Sequence, residues 1–385
     1  MTKQPKKRAG GFRKARLAAC LIAAGLALTG TQARADAEVA LPPALARGIN
    51  ITHWFRFPPS NRARAMADHL DDASLAALRH AGFTYIRLSV GPEEVMQGHS
   101  IAPDKLAALT GAIGRIEHAG LAVMVEPHPE QMQHWNLQRN PDARAALLGF
   151  WHDLAPALKP FPVAATFPEL VNEPGFDDAA QWDAYQRQLL AVVRNALPSN
   201  TVILTGTNWS SIDGLLKVKP VEDRNVIYSF HTYEPQVLTL LAFWDGAAKK
   251  DQLAQNLPFP AKDEAACKAA VAGIKDAHTL AIGQFWCSMH SDAASVRKNL
   301  ARAATWGSTH HVAVAMTEFG AVQQLQSRAR LPYLSAVRTA GEQLGLSWAI
   351  WGLDDQMGFG LQPGSFHTAS QLSPGIMQAL GLPAR

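Results

Sequence analysis

The stretch Ala122-Val123-Met124-Val125-Glu126-Pro127-His128 decides the fold. It is nearly continuous in apolar residues until its polar end, the pattern of a parallel strand buried on both faces. Just before it, Asp104–His118 places Leu106, Leu109, Ile113 and Ile116 at helical spacing. Before that helix, Tyr85-Ile86-Arg87-Leu88-Ser89-Val90 is a second strand-like run. Strand, helix and strand in this order form a parallel crossover unit. Working outward, further strand-like runs cover Gly48–Trp54, Thr166–Asn172, Thr201–Trp209, Val226–Tyr233, Val312–Phe319 and Ser347–Leu353. Amphipathic stretches over Asp72–His80, Asp178–Leu197 and Asp292–Thr305 separate them. Eight strands alternating with helices leave a closed barrel or a doubly wound sheet. Polar residues at the C-terminal ends of most strands favour the barrel, which builds its sites there. The expected fold class is α/β, a (β/α)₈ TIM barrel in a single domain with a long loop insertion after strand six.

That insertion occupies most of the interval from Tyr233 to Val312, more than one loop and one helix require. It contains Trp244, Trp286, the turn-forming Pro258-Phe259-Pro260 and two cysteines. It is read as an ordered flap beside the site.

Residues 1–35 read as a cleaved secretory signal. A basic head with Lys3, Lys6, Lys7, Arg8, Arg13, Lys14 and Arg16 precedes the apolar run Leu17–Leu28, and Ala33-Arg34-Ala35 supplies small-x-small cleavage chemistry. The run is shorter than the roughly 20 apolar residues needed to cross a bilayer. This segment holds 8 Lys/Arg and no Asp/Glu, so the remainder carries −4 where the whole chain carries +4. The basic balance therefore belongs to export, and no nucleic-acid partner is expected. The mature catalytic domain is expected over 36–385, secreted or periplasmic by a Sec-type route, monomeric and without stable membrane association. Cys267 and Cys287 are an even pair in an oxidising compartment and suggest one disulfide.

Glycoside hydrolysis needs two carboxyl groups flanking the scissile bond, one to protonate the leaving oxygen and one to attack or to activate water. Leu170-Val171-Asn172-Glu173-Pro174 ends the fourth strand, and Met316-Thr317-Glu318-Phe319-Gly320 ends the seventh. Either carboxylate alone is an ordinary helix-start residue. Their joint placement on strands four and seven is specific.

With these elements the chain resembles glycoside hydrolase family 5, the cellulase-like family of the four/seven barrel clan, over nearly all of 45–361. The resemblance implies Glu173 as acid/base, Glu318 as nucleophile and a retaining mechanism through a covalent glycosyl-enzyme. It further implies supporting roles for Arg87, His128, His231, Tyr233 and Trp351. Arg87 is expected to lower the pKa of Glu318, with Tyr233 donating to the same carboxylate. Asn172 is placed for a sugar 2-hydroxyl, His128 and His231 for other hydroxyls, and Trp351 and Trp209 for apolar ring faces. Trp54, Trp135, Trp244 and Trp286 are further candidates for sugar subsites. Glu93, Glu94, Glu126, Glu169, Asp354 and Asp355 are set aside.

The expected substrate is an oligo- or polysaccharide of β-glucan type, cut in the manner of a cellulase or endoglucanase, with no cofactor and no metal. A β-mannanase, an exo-β-glucanase or an exopolysaccharide-processing glycosidase would use the same residues. A non-catalytic carbohydrate-binding barrel is a rival, though both carboxylates are present. A metal site built from His53, His128 and His231 is a rival of another class, disfavoured because strand one lacks a His-x-His pair.

Overall fold

The computed structural model describes residues 41–385 apart from 68, 131–134, 356–357, 362–371 and 384–385, so the expected signal over 1–35 lies outside the described residues. Eight strands form one parallel sheet: β1 (Arg47–Phe55), β2 (Tyr85–Val90), β3 (Ala122–Pro127), β4 (Thr166–Pro168), β5 (Val202–Thr205), β6 (Val226–Thr232), β7 (Ala313–Phe319) and β8 (Ser347–Ile350). Their order is β4-β3-β2-β1-β8-β7-β6-β5. A bridge between Glu169 and Ile203, with Leu170 N donating to Ile203 O at 3.0 Å, joins the two ends and closes the barrel.

The longer helices are α1 (Asp72–His80), α2 (Pro103–His118), α3 (Pro141–Ala157), α4 (Ala179–Ala196), α5 (Lys250–Asn256), α6 (Glu264–Val271), α7 (Ala277–Ser288), α8 (Ala293–His310) and α9 (Ser327–Gln343). Helix α2 begins one residue earlier than the sequence pattern suggests, and two others, α4 and α8, begin one later. The aspartates there cap the helix: Asp178 accepts from Ala180 N, and Asp292 forms a capping box with Ser295. Among the described residues no helix is long and apolar enough to cross a membrane.

The core has two shells. Between strands and helices lies a continuous layer that includes Ile49, Leu88, Val123, Leu189, Val314 and Trp348. Inside the barrel's lower half, Leu45, Tyr85, Met124, Phe167, Ile203 and Ile227 pack on one another. Gly48 makes room for this plug, since a Cβ there would stand 2.3 Å from the Tyr85 ring.

The long interval after β6 differs from the expected loop. It folds into a short turn at Gln236–Thr239 followed by α5, α6 and α7, before α8 returns to the barrel. The chain there is rich in alanine and supplies its own caps, with Asp263 accepting from Ala266 N and Asp276 from Thr279 N. Cys267 on α6 and Cys287 on α7 are joined by a disulfide.

Candidate active site

Inward-facing side chains alternate with outward ones, so one face recurs every second residue. Along that face the character changes from apolar to polar within a single step. Tyr85 gives way to Arg87 on β2, Met124 to Glu126 on β3, Phe167 to Glu169 beyond β4, and Ile227 to Ser229 and His231 on β6. The lower barrel is therefore a plug, and the upper barrel is a buried polar floor.

Arg87 is the centre of that floor. Its guanidinium is fully buried and uses all five N–H groups. Nε and Nη2 donate to the two oxygens of Glu169 at 2.6 and 3.2 Å. Nη2 also donates to Asn172 Oδ1 at 2.9 Å, and Nη1 to Asn50 Oδ1 at 3.0 Å and Glu318 Oε1 at 2.7 Å. Glu126 stands 3.6 Å away. The paired carboxylates hold Arg87 charged against the cost of burial. Asn50 braces the network by donating to Thr317 O and Ile350 O at 3.0 and 3.1 Å. Neither Asn50 nor Glu169 stands out as a site residue in the sequence. The available signal was a polar side chain inside an apolar strand, Ile49-Asn50-Ile51.

Glu318 reaches the floor because β7 carries a bulge. Ala313 and Ala315 face inward, so strict alternation would aim Thr317 in and Glu318 out. The register slips on both sides instead: Phe230 pairs with Met316 but His231 with Glu318, and Trp348 pairs with Met316 but Ile350 with Phe319. One extra residue turns the carboxylate inward, a common device beside functional sites. Gly320 follows where a Cβ would come within 2.8 Å of Trp351 O. Tyr233 Oη donates to Glu318 Oε2 at 2.8 Å.

Glu173 sits in the loop after β4, which is shorter than the sequence pattern suggests. Its φ of 40° is rare for a residue with a Cβ, a local strain typical of functional loops. His231 Nδ1 lies 2.8 Å from Glu173 Oε1 and 3.5 Å from Glu318 Oε2. One ligand-type atom each from Glu173, His231 and Glu318 lie within 4.8 Å of one another. The two carboxyls are therefore close, and their surroundings differ. Glu318 has a guanidinium and a phenol; Glu173 has an imidazole whose pKa burial holds down.

Burial pushes Glu173 up to about 7, against the distant positive charges of Arg56 and Arg87. Burial also pushes Glu318 up to about 7. His231, Arg87 and the Tyr233 hydroxyl oppose that rise, while the like charge of Glu173 adds to it. Arg87 and Tyr233 thus act on Glu318 with the expected lowering sign, but desolvation is larger. The two groups titrate as a pair. A single shared proton belongs on Glu173, since Arg87 and Tyr233 hydrogen-bond the ionised form of Glu318.

Other assignments shift. His128 is committed to the protein: its Nδ1 lies 2.9 Å from Glu126 Oε1, and its Nε2 lies 2.7 Å from Asn172 Nδ2, a contact that takes one of the two amide hydrogens of Asn172. Burial holds His128 well below its ordinary pKa, so the ring is neutral. Glu126 and Glu169, set aside in the sequence, are the acids that position His128 and Arg87. Trp351 is only 3% exposed yet lines the cleft beside His128, ring to ring at 5.6 Å. Trp209, 43% exposed, lies past the end of β5 in the left-handed run Asn208-Trp209-Ser210, where it walls the cleft. Trp54, Trp135 and Trp286 are buried, with the indoles of Trp54 and Trp286 donating to Met66 O and Pro258 O. Trp244 is exposed. His53, His128 and His231 do not gather: His53 lies against Asp354, and the other two serve separate carboxylates.

Above this floor opens a cleft of about 1070 Å³. Arg56, His128 and Trp351 line it from the β1, β3 and β8 loops; Trp209, Phe243 and Arg302 line it from the β5 loop, the insertion and α8.

A closed barrel carrying two adjacent carboxyls at the ends of β4 and β7, inside an open cleft, defines a class of glycoside-hydrolase barrels. The cellulase family model, glycosyl hydrolase family 5, matches residues 49–357, and the chain belongs to that family. It is 23% identical over 338 residues to endoglucanase 3 of Fibrobacter succinogenes, covering 80% of this chain and 49% of that protein. It is 20% identical over 215 residues to endoglucanase C of Acetivibrio thermocellus, covering 52% and 61%. The chain thus spans about half to three fifths of these curated relatives. Among solved structures, a hyperthermophilic endo-β-1,4-glucanase in complex with substrate superposes with a TM-score of 0.70 at 23% identity, covering 88% of this chain and 98% of that one. Thermotoga maritima Cel5A in complex with mannotriose gives 0.68 at 20%, covering 88% and 97%. At these identities the structural likeness speaks for the fold.

Proposed function

We propose that this protein is an exported endo-β-1,4-glucanase-like hydrolase that cleaves a soluble β-glucan with retention, Glu318 as nucleophile and Glu173 as acid/base. The observation that carries this reading is the proximity of the two carboxyls, with the unequal company each keeps. Retaining pairs stand about 5–5.5 Å apart and inverting pairs about 6.5–9.5 Å, and atoms of Glu173 and Glu318 within 4.8 Å fit the former. In the first step a Glu318 oxygen bonds to the anomeric carbon. The glycosidic C–O bond breaks with its electron pair, and the Glu173 proton passes to the leaving oxygen. In the second, Glu173 takes a proton from water, the water oxygen bonds to the anomeric carbon, and Glu318 leaves as carboxylate. Tyr233 and Arg87 hold the attacking oxygens in place and stabilise them as charge returns. The relatives' names point to an endoglucanase, a structural neighbour described as an endo-β-1,4-glucanase suggests the linkage, and a mannotriose complex of another makes mannan the second polymer to try.

The test is reducing-sugar release by purified protein and its Glu318→Gln variant on mixed-linkage glucan, carboxymethylcellulose, laminarin, mannan and xyloglucan. NMR should follow the first-formed anomer. We expect activity on a β-1,4-linked glucan, a β-anomeric first product, and a loss of at least 10³-fold in Glu318→Gln, about the size of losing a nucleophile. An α-anomeric product, or a variant as active as the parent, would overturn the mechanism.

A further inference from the structure

Arg56 immediately follows β1 and is only 9% exposed, yet it lines the cleft with Trp351, His128 and Glu173. A charged side chain that deep must be held, and three contacts hold it. Glu130 Oε1 accepts from Nε at 3.2 Å and from Nη2 at 2.9 Å, fixing one edge of the guanidinium. Its flat face lies 4.5 Å over the Phe57 ring centroid and 5.7 Å from that of Trp351. Glu130 is in turn anchored through its backbone N, which donates to Glu93 Oε1 at 2.8 Å. The remaining edge, the Nη1 group with two hydrogens, has no partner among the described residues. A guanidinium pinned on one edge and one face presents its third side in a fixed direction, which a flexible ammonium would not do.

We propose that Arg56 is a substrate-contacting residue: its free Nη1 edge donates to ring hydroxyls of the sugar seated against Trp351, and it selects a neutral hexose over an acidic one. The proposal rests on the glycosidase reading above. Neutral hydroxyls are favoured over a carboxylate by the surrounding charge. Arg56 is already balanced by Glu130, and Arg87 by Glu169 and Glu318. The one positive charge of Arg87 faces two carboxylates, so a uronic acid placed here would enter a field of net negative sign. A hydroxyl meets no such penalty and still gains a charge-assisted hydrogen bond.

The test compares the parent protein with Arg56→Ala, Arg56→Lys and Glu130→Gln on cellotetraose, with thermal melting as a folding control. Cellotetraose binding is measured separately by calorimetry in Glu318→Gln with and without Arg56→Ala. We expect Arg56→Ala to lose about ten- to a hundredfold in kcat/KM, the range of one charge-assisted hydrogen bond, and to weaken binding by a similar factor. Millimolar guanidinium should restore part of the Arg56→Ala loss, Arg56→Lys should recover little, and Glu130→Gln should fall between parent and alanine. The parent should cleave glucan oxidised to C6 carboxylates more slowly than neutral glucan. Hydrolysis by the parent with Arg56→Ala within twofold in both kcat/KM and binding would overturn the assignment of Arg56 alone. A parent that neither binds nor hydrolyses glucan would overturn the functional reading together with the sugar class. Should Arg56→Ala fail to fold, an Arg56→Lys that matches the parent in both readouts would overturn it equally.

Discussion

Glu173 and Glu318 need opposite protonation states from almost the same place, and burial serves only one of them. Both carboxyls, and Glu126 behind them, are pushed up to about 7 by desolvation. A carboxyl whose folded pKa lies above its unfolded value of about 4.3 contributes stability that is complete below that lower value. The contribution is lost as pH rises through about 7, where the native state must give up protons it had kept. These carboxyls therefore favour the fold near pH 5 over pH 8, while the buried, neutral His128 and His231 act in the opposite direction. Glu173→Gln removes one of these groups and should raise stability at pH 8 by about 1–2 kcal/mol, less than the whole shift because Glu173 is 27% exposed and coupled to its neighbour. Melting curves of parent and variant at both pH values check this; a variant no more stable than the parent at pH 8 contradicts it. Arg56 belongs to the same scale. It was not legible in the sequence because an arginine after a strand is an ordinary surface residue until its burial is seen.

The helical insertion is an element with its own fastening. Its disulfide closes a loop of 20 residues between α6 and α7, worth about 3 kcal/mol in the chain-entropy account. Leu241, Phe243 and Lys250 from this interval line the cleft, so loosening it should be felt by substrate before it is felt by the barrel. Cys287→Ser should raise KM severalfold and expose the segment 243–291 to proteolysis, while the barrel's far-UV signal persists. Unchanged KM and unchanged protease resistance would mean the helices hold without the bond. At this scale the sequence was legible where periodicity governs. All eight strands and the helices α1, α2, α4 and α8 occur where apolar spacing places them, although β4, β5 and β8 end three to four residues earlier than that spacing suggests. It was not legible where a local irregularity sets direction. The β7 bulge depends on register with two neighbouring strands, which no single run of residues encodes. The interval after β6 looked like loop because its helices are short and alanine-rich, being stabilised by caps and packing. The motif residues Glu173 and Glu318 were found by chain order, whereas their true companions Asn50, Glu126 and Glu169 were not. A buried polar residue in a strand can as readily be a structural pair.

For the whole molecule the governing feature is that one side chain ties most of the barrel together. Arg87 on β2 meets Asn50 on β1, Glu126 on β3, Glu169 and Asn172 beyond β4, and Glu318 on β7. Arg87→Met, similar in length but uncharged, would leave carboxylates buried without their cation. We expect a loss of about 3–5 kcal/mol in denaturant unfolding together with activity near background. Arg87→Lys should recover only part of the stability, since three donors cannot replace five. A methionine variant as stable as the parent would show that the carboxyls simply take up protons.

The seam between β4 and β5 gives this knot a second meaning. Elsewhere neighbouring strands share ladders of several residues, but here a lone bridge at Glu169 and Ile203 completes the circle. The last stave of this cask is pegged more than it is glued, and the peg is the grip of Arg87 on Glu169. The shape of the vessel and the chemistry at its mouth are thus written in the same few atoms, and neither can be edited without rewriting the other.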